Sequence, residues 1–157
     1  MTDIFSKSKR SAVMALIRGR GNKATEIKFM RLLRAHGITG WRRHIALSLP
    51  SLKVDSKATK KPRVRPDFVF PKSKVAIFVD GCFWHGCPIH GTSPSSNRAF
   101  WTVKLAANRK RDRHVTRQLR RKNWSVLRFW EHQLDDGDRL IAKLRNRVAL
   151  IKVEKKM

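Results

Sequence analysis

The sequence predicts one mixed α/β domain, a sandwich in which helices flank a small central sheet. Three observations predict it. The chain has 157 residues, which is enough for one domain with a core and too few for two ordinary domains. Hydrophobic residues make up 41% of it, so a core can form although 31% of the residues are charged. Helical patterns alternate with short β-branched and aromatic runs, in the order helix, weak strand, hairpin, two helices, strand, helix.

Changes in composition divide the chain into an arm, a domain and a tail. We expect a basic N-terminal arm at residues 1–21, the folded domain at residues 22–151 and a basic tail at residues 152–157. Within the domain, residues 48–65 contain Ser, Lys and Pro and almost no apolar side chains. This composition predicts a mobile basic loop of unusual length.

In the N-terminal half, residues 7–20 have one apolar side and predict a helix that contacts phosphate. Residues 22–36 predict a second helix, because apolar residues recur there at helical spacing and a glycine follows. Residues 41–47 alternate weakly, which indicates a strand. Two apolar runs, at residues 65–71 and 75–79, are separated by Lys-Ser-Lys, and a hairpin is the economical pairing.

In the C-terminal half, residues 98–108 and 109–122 predict two successive helices. The second is mostly Arg and Lys outside its apolar positions, so it presents either a face for a phosphate backbone or an ordinary solvated face. Residues 125–130 predict a clear strand, and residues 135–151 predict a final helix that closes the domain.

The charge points to a polyanionic partner. Lys and Arg number 37 against 11 Asp and Glu, which gives a net charge of +26 spread along the chain. Salt-dependent binding to nucleic acid follows from such a charge. A ribosomal or chromatin-type protein has the same balance, so composition alone does not separate a structural protein from an enzyme.

No apolar run approaches the roughly 20 residues of a membrane span, and the N-terminus lacks the apolar stretch of a secretory signal. The basic start could imitate an organellar transit peptide, but Asp3 and the early helical pattern argue against one. We therefore expect a cytoplasmic protein without a membrane partner.

Residues 79–90 read Val-Asp-Gly-Cys-Phe-Trp-His-Gly-Cys-Pro-Ile-His and contain both cysteines of the chain. A disulfide across so small a loop is geometrically possible, but close Cys and His residues in a cytosolic protein are more typical of metal binding. A closed tetrahedral site implies a structural zinc. The four ligands that the pattern suggests are Cys82, Cys87, His90 and His132, although His132 could instead be an ordinary surface imidazole.

Three further side chains are candidates for chemistry. His85 lies between the two thiols, where joint ligation is awkward, so we expect it to point toward Asp67 and to act as a general base or acid. Asp67 heads a predicted strand, although a carboxylate there is equally typical of a turn. Glu26 is the only acid between Asp3 and Asp55; stabilisation by the helix macrodipole is the simpler explanation of its position.

Four segments carry a family resemblance. They are Arg-Pro-Asp-Phe-Val, Phe-Val-Asp-Gly-Cys-Phe-Trp-His-Gly-Cys, Phe-Trp-Thr-Val-Lys with Asn108 and Arg111-Asp112, and Trp-Ser-Val-Leu-Arg-Phe-Trp-Glu. Together they resemble the very short patch repair (Vsr) DNA mismatch endonucleases over residues 7–150, nearly the whole chain.

The resemblance implies a PD-(D/E)XK-like nuclease fold with a structural zinc, and magnesium-dependent nicking of one DNA strand beside a T·G mismatch. It implies that Asp67 is the main magnesium ligand and that Val79 offers its backbone carbonyl to the metal. It also implies that His85 is the general base or acid and that Glu26 orders water or metal. The zinc ligands would be the same four Cys and His residues.

The resemblance also implies a DNA interface. Phe83, Trp84 and Trp101 fall where the family keeps aromatics that intercalate beside the mismatch; the alternative for each is core packing. Further DNA contacts are expected from Lys104, Asn108 and Arg111. The implied partner is double-stranded, mismatched DNA, bound by a monomer, with mismatch-repair accessory proteins as further candidates.

The chain departs from the family pattern at Val79 and Asp80, where a Thr and a His are familiar. Asp80 could join Asp67 as a second acidic metal ligand, or the alternation of a strand could turn it away. The zinc set differs in ligand order, and the loop at residues 48–65 looks like an insertion that leaves mismatch specificity open. The alternatives are a nuclease of restriction or homing type acting on paired DNA, a zinc-stapled DNA-binding module without catalysis, and a basic RNA-binding structural protein.

Overall fold

The computed structural model describes residues 22–50, 62–92 and 97–153, with side chains in the last helix described up to residue 148. The expected basic arm with its helix at residues 7–20 lies outside these residues. So do the middle of the basic loop and residues 154–157 of the tail. Among the helices that are described, none combines the length and the apolar character needed to span a membrane.

The expected helix at residues 22–36 is confirmed, with an unusual start. A π-helical turn, Lys23–Ile27, runs directly into helix α1, Lys28–Ala35. Asn22 caps its start with two hydrogen bonds. The side chain accepts the Ala24 N–H at 2.9 Å, and the backbone carbonyl accepts the Ile27 N–H at 3.0 Å. The wide turn carries Glu26, which is only 4% exposed. Turns of this kind are frequent at functional sites.

The central sheet has four strands in the order β1, β4, β5, β6. These are β1 (Arg42–Arg43), β4 (Phe68–Phe70), β5 (Val75–Asp80) and β6 (Ser125–Trp130). Strands β4 and β5 form the expected antiparallel hairpin, with Phe68 opposite Ile77. Strands β5 and β6 run parallel, with Val79 opposite Phe129. The sheet is therefore mixed, as predicted.

The weak strand expected at residues 41–47 is two short strands in different sheets. Only β1 joins the central sheet, whereas β2 (Leu47–Ser48) pairs with β3 (Arg63–Val64) in a separate two-stranded ladder. His44 lies between β1 and β2 with φ of 54°, a left-handed conformation that interrupts an extended strand. The basic loop thus begins and ends in paired strands.

The expectation of two helices at residues 98–108 and 109–122 is wrong. A short helix α2 (Cys82–His85) is followed by one continuous helix, α3 (Arg98–Arg121), of 24 residues. The junction reads Ala-Ala-Asn-Arg-Lys-Arg and contains no Gly or Pro to end a helix. A 3₁₀ turn, Glu131–Asp135, follows β6 and leads to the final helix α4, Gly137–Val153.

The core has two layers on opposite faces of the sheet. Helices α1 and α4 cover one face, where Phe29, Phe68, Phe129 and Leu144 pack together. Helix α3 covers the other face through a second cluster of buried residues: Leu47, Leu49, Val69, Ala76, Leu119 and Val126. The period of two along β5 assigns its side chains to these faces alternately. The carboxyl end of β5 is Asp80, and helix α2 with Cys82 and His85 begins two residues later.

Candidate active site

Asp67 lies immediately before β4 and is tied to β5. Its Oδ2 accepts the backbone N–H of Val79 at 2.8 Å. The pKa of Asp67 is raised to about 6, first by burial and to a smaller extent by the neighbouring Glu26 and Asp80 carboxylates, against the lowering effect of this hydrogen bond. Asp67 and Val79 are thus together, as the sequence led us to expect. The role of the Val79 carbonyl as a ligand stays a prediction.

Glu26 joins Asp67 from the π-helical turn. Its Oε2 accepts a hydrogen bond from Arg43 Nη2 at 2.5 Å and lies 3.0 Å from His44 Nε2. One ligand atom each from Glu26, His44 and Asp67 lie within 4.8 Å of one another. A carboxylate that is buried beside a second carboxylate is not explained by the helix macrodipole alone, which acts on exposed first turns as well.

His85 is held by a carboxylate that sequence reasoning did not assign to it. Its Nδ1 lies 2.6 Å from Asp112 Oδ2 and 3.6 Å from Asp80 Oδ1. With Nδ1 donating to Asp112, Nε2 is left as the acceptor nitrogen of a neutral ring. Burial opposes ionisation of Asp112, but the hydrogen bond with His85 and the charge of Arg128 hold the pKa of its carboxyl below the ordinary value.

Asp80, the uncertain candidate, is engaged by Arg128. The guanidinium binds both carboxylate oxygens, with Nε to Oδ2 and Nη2 to Oδ1 each at 2.6 Å, and Nη2 lies 3.1 Å from Asp112 Oδ1. Asp80 is 5% exposed. Both carboxylate oxygens of Asp80 accept hydrogen bonds from Arg128, and the same guanidinium also contacts Asp112. A bidentate arginine of this kind has geometric as well as energetic weight.

One open cleft of about 740 Å³ contains the acidic residues and the histidine, which we call the acidic cleft. It is lined by Glu26, Asp67, Asp80, His85 and Asp112, together with Arg111 and Arg128. The expected sharing of a cleft by Asp67 and His85 is therefore seen, although His85 has Asp112 and Asp80 as its nearest carboxylates. His114 also lines the cleft, and several carboxylates beside imidazoles can hold a divalent cation next to a general base.

The segment 82–90, here named the Cys/His loop, brings its predicted ligands together with His132. His132 Nδ1 lies 3.2 Å from Cys82 Sγ and 3.6 Å from Cys87 Sγ. One ligand atom from each of the four residues Cys82, Cys87, His90 and His132 lies within 4.8 Å of the others. Tetrahedral zinc bonds place sulfur and nitrogen about 3.5 Å apart, so the donor set fits a metal. Both cysteines are free thiols rather than a disulfide.

The predicted aromatics form one group of rings in edge-to-face and tilted contact, which we call the aromatic stack, and its Trp84 lines the acidic cleft. The Phe83 ring lies 5.1 Å from both the Trp84 and the Trp101 rings. Phe83 and Trp84 are half-buried, whereas Trp101 is 8% exposed and supports the other rings from helix α3. Phe100, whose ring lies 5.3 Å from that of Trp101, is 53% exposed and was not anticipated.

The predicted polar DNA contacts lie along α3 with different surroundings. Asn108 Nδ2 donates to the Trp84 carbonyl at 2.9 Å, so this side chain braces the Cys/His loop. Lys104 is exposed, and Arg111 is exposed at the rim of the acidic cleft. The Asn108 contact had no signal in the sequence beyond its place in a motif.

The C-terminal half of α3 carries a basic trough that continues the acidic cleft. Its cationic side chains are Lys110, Arg113, Arg117, Arg120 and Arg121. Asp112 and Arg128 line both the trough and the acidic cleft, so the two are contiguous. A row of guanidinium groups on a rigid helix can neutralise successive phosphates.

Comparison with known proteins connects these features to a family. The sequence model described as DNA mismatch endonuclease Vsr matches residues 2–90. The type II nicking enzyme V.NaeI of Lentzea aerocolonigenes is 52% identical over 71 residues, which are 45% of this chain and 43% of the relative. The type II nicking enzyme V.XorIIP of Xanthomonas oryzae pv. oryzae is 43% identical over 83 residues, 52% of this chain and 60% of the relative.

A longer alignment is found with the DNA mismatch endonuclease Vsr of Escherichia coli K12. It is 33% identical over 142 residues, which are 89% of this chain and 80% of that protein. The chain spans about half the length of the two nicking enzymes that it matches.

Proposed function

Since the chain belongs to the Vsr family of DNA mismatch endonucleases, we propose that it is a magnesium-dependent endonuclease that nicks one strand of duplex DNA at or next to a T·G mismatch. The observation that carries the proposal is the acidic cleft. It combines two carboxylates able to hold a cation, Glu26 and Asp67, with a histidine whose Nδ1 is bound to Asp112.

The carboxylates supply the metal side of the reaction. Asp67 would hold Mg²⁺ with the Val79 carbonyl, and Glu26 would bind the metal or the water beside it. Mg²⁺ at this position would neutralise charge on the scissile phosphate and on the leaving oxygen. The Val79 N–H holds Asp67 Oδ2 in place at 2.8 Å, so the carboxylate that lines the cleft has a fixed orientation.

His85 supplies the proton transfer. With Nδ1 donating to Asp112, Nε2 accepts a proton from the attacking water, and Asp112 stabilises the imidazolium that forms. Arg128 holds Asp112 at 3.1 Å, so the orientation of the histidine depends on a chain of three side chains. General base catalysis of this kind contributes about 10²–10⁴-fold to a rate.

The Cys/His loop supplies a rigid support. Zn²⁺ bound by Cys82, Cys87, His90 and His132 would fix the loop to the end of β6 and contribute to folding free energy. Phe83, Trp84 and His85 all lie between the two cysteines in sequence. The same support would therefore position both the general base and the half-buried rings of Phe83 and Trp84.

The aromatic stack offers a physical cause for mismatch selectivity. Phe83 and Trp84, supported by Trp101, would wedge between base pairs at a cost of a few kcal/mol for unstacking. This cost is lowest where pairing is already faulty. Phe100, exposed beside the stack, extends the same apolar surface.

Cations along α3 would hold the phosphate backbone on either side of the cleft. Lys104 follows Trp101 by about one helical turn and Arg111 lines the acidic cleft, which is contiguous with the basic trough. Each phosphate neutralised by such a side chain adds salt dependence to the affinity. Duplex DNA is thus the partner whose shape and charge fit both surfaces.

A pair of labelled duplexes tests the proposal. Purified protein is incubated with a T·G-mismatched duplex and with its fully paired counterpart, with Mg²⁺ or without added divalent cation. We expect a Mg²⁺-dependent nick in one strand of the mismatched duplex that is lost in Asp67→Ala. The matched control is Asp138→Ala, whose side chain is 95% exposed on α4.

Each other outcome would indicate a different function or a different metal site. Equal cleavage of both duplexes would retain the nuclease and reject the mismatch role, in favour of a restriction or homing-type activity. Binding of mismatched DNA without cleavage under any of these conditions would favour a DNA-binding module. Unchanged nicking by Asp67→Ala would contradict the assigned metal site.

A further inference from the structure

A histidine that the roles above leave unassigned faces the two metal-binding carboxylates. His44 Nε2 lies 3.0 Å from Glu26 Oε2, and the ligand atoms of His44, Glu26 and Asp67 fall within 4.8 Å of one another. The His44 side chain is 23% exposed, whereas that of Glu26 is 5% exposed, so the histidine lies between the buried carboxylate and solvent. Its backbone N–H lies 3.4 Å from the Asp67 carbonyl, so the two residues are also joined through the main chain.

We propose that His44 is a third protein ligand of the cation held by Glu26 and Asp67, and that it makes the site prefer a transition-metal ion such as Mn²⁺ or Co²⁺ over Mg²⁺. This inference rests on the proposal that the acidic cleft binds a divalent cation. It does not depend on the DNA substrate or on the strand that is cut.

The spacing of the donors supports ligation. Octahedral bonds of about 2.1 Å place neighbouring ligands about 3.0 Å apart, which is the separation of His44 Nε2 and Glu26 Oε2. The remaining separations, up to 4.8 Å, close by rotation of side chains around an ion. Two carboxylates and one imidazole on one side of an ion leave its other positions to water or phosphate.

The chemistry of the donors supports the choice of metal. Mg²⁺ prefers oxygen ligands and keeps much of its water. Imidazole nitrogen gains affinity along the series from Mn²⁺ to Cu²⁺, so replacing one oxygen donor by a histidine shifts preference toward transition metals.

The backbone conformation of His44 is uncommon and turns its side chain toward Glu26. Its φ of 54° lies in the left-handed region, which only a few per cent of non-glycine residues adopt, with Asn, Asp and His the most frequent among them. Arg43 donates to the same Glu26 oxygen at 2.5 Å, so it holds the carboxylate in the orientation that faces His44. The competing explanation is that His44 is only an ion-pair partner of Glu26.

Metal binding without DNA distinguishes these explanations. The dissociation constant for Mn²⁺ is measured on the zinc-loaded full chain from the electron paramagnetic resonance signal of free Mn²⁺, and Mg²⁺ is measured by competition. We expect His44→Asn, a residue that tolerates the left-handed backbone, to weaken Mn²⁺ binding at least tenfold and Mg²⁺ binding less than threefold. The matched control is His36→Asn at the end of α1, outside the acidic cleft, which should change neither.

A second measurement covers the case in which His44→Asn does not fold. Pulsed paramagnetic resonance of Mn²⁺ bound to the unaltered protein should show coupling to an imidazole nitrogen, and folded His44→Gln should lose it. Absence of this coupling in the unaltered protein would overturn the proposal. Equal weakening of Mn²⁺ and Mg²⁺ in His44→Asn would also overturn it, because that result assigns His44 to holding Glu26. Since no DNA is present, failure of the proposed nicking activity leaves these outcomes unaffected.

Discussion

His85 and Asp112 lie 27 positions apart in the chain, yet His85 Nδ1 and Asp112 Oδ2 are separated by only 2.6 Å. The contact joins the Cys/His loop to the middle of helix α3. It assigns Nδ1 as the donor and leaves Nε2 for proton transfer. The strength of the proposed general base is therefore set by a residue on a different element.

Asp112→Asn tests this pairing. The amide presents a donor as readily as an acceptor and no longer stabilises an imidazolium, so we expect the nicking rate at pH 7.5 to fall by about 10²-fold or more. The affinity for DNA should change little, because Asp112 acts through the histidine. Single-turnover rates measured over a range of protein concentrations separate the rate of cleavage from the affinity. Asp138→Asn is the control, and a parallel shift of rate and affinity would indicate a structural role instead.

Asp67→Asn should remove a pH-dependent penalty on stability. The folded pKa of about 6 exceeds the ordinary 3.8, so between about pH 4 and pH 6 the native state binds more protons than the unfolded state. The free energy of unfolding of the unaltered protein therefore falls as pH rises through this window. Asn keeps an acceptor for the Val79 N–H without the charge. Urea unfolding in buffer without added Mg²⁺ should show the variant more stable by about 1–3 kcal/mol at pH 7.5 and equal near pH 4.

Arg128→Met should destabilise the protein strongly. Asp80 is 5% exposed, and the change leaves its carboxylate buried without its bidentate partner. We expect a loss of about 3–5 kcal/mol in the free energy of unfolding. The double variant Arg128→Met, Asp80→Leu removes the stranded charge and should regain about 2 kcal/mol of this loss. Additive losses in urea unfolding would show that the pair is not coupled.

Zinc content tests the Cys/His loop. We expect about one zinc per chain by elemental analysis of the purified protein. Cys87→Ser replaces a buried ligand that is 3% exposed, and it should lower both the zinc content and the melting temperature. His36→Ala, away from the loop, should retain the metal. A fully folded protein without zinc would contradict the assignment.

Much of the sheet was predictable from local patterns. The hairpin of β4 and β5 and the strand β6 are short apolar runs bounded by turn residues, and β6 occupies the predicted residues 125–130. Residues 98–108 and 109–122 form one helix rather than two, because Trp101, Leu105, Val115 and Leu119 lie on one side of a continuous axis and pack inward along its whole length.

The residues that sequence reasoning missed all act through partners far along the chain. Arg128 lies 48 positions from Asp80, and no local pattern indicates that this arginine donates from Nε and Nη2 to the two oxygens of that carboxylate. His44 was unremarkable in a weak strand, and only the π-helical turn brings Glu26 to it. Asp112 had its place in a recognised motif but no role. Motifs identify residue types, whereas pairing across the sheet decides which of them meet.

The unbroken helix α3 sets a fixed distance between two parts of the proposed DNA-binding surface. Trp101 supports the aromatic stack near one end and Arg121 borders the basic trough at the other, and a helical rise of about 1.5 Å per residue separates them by about 30 Å. That length corresponds to about nine base pairs of B-form DNA. In the proposed complex, a duplex that extends less than this distance from the mismatch toward the basic trough would contact Phe83 and Trp84 but not Arg120 and Arg121. Affinity should therefore rise in a step as the flanking arm reaches that length, then level off.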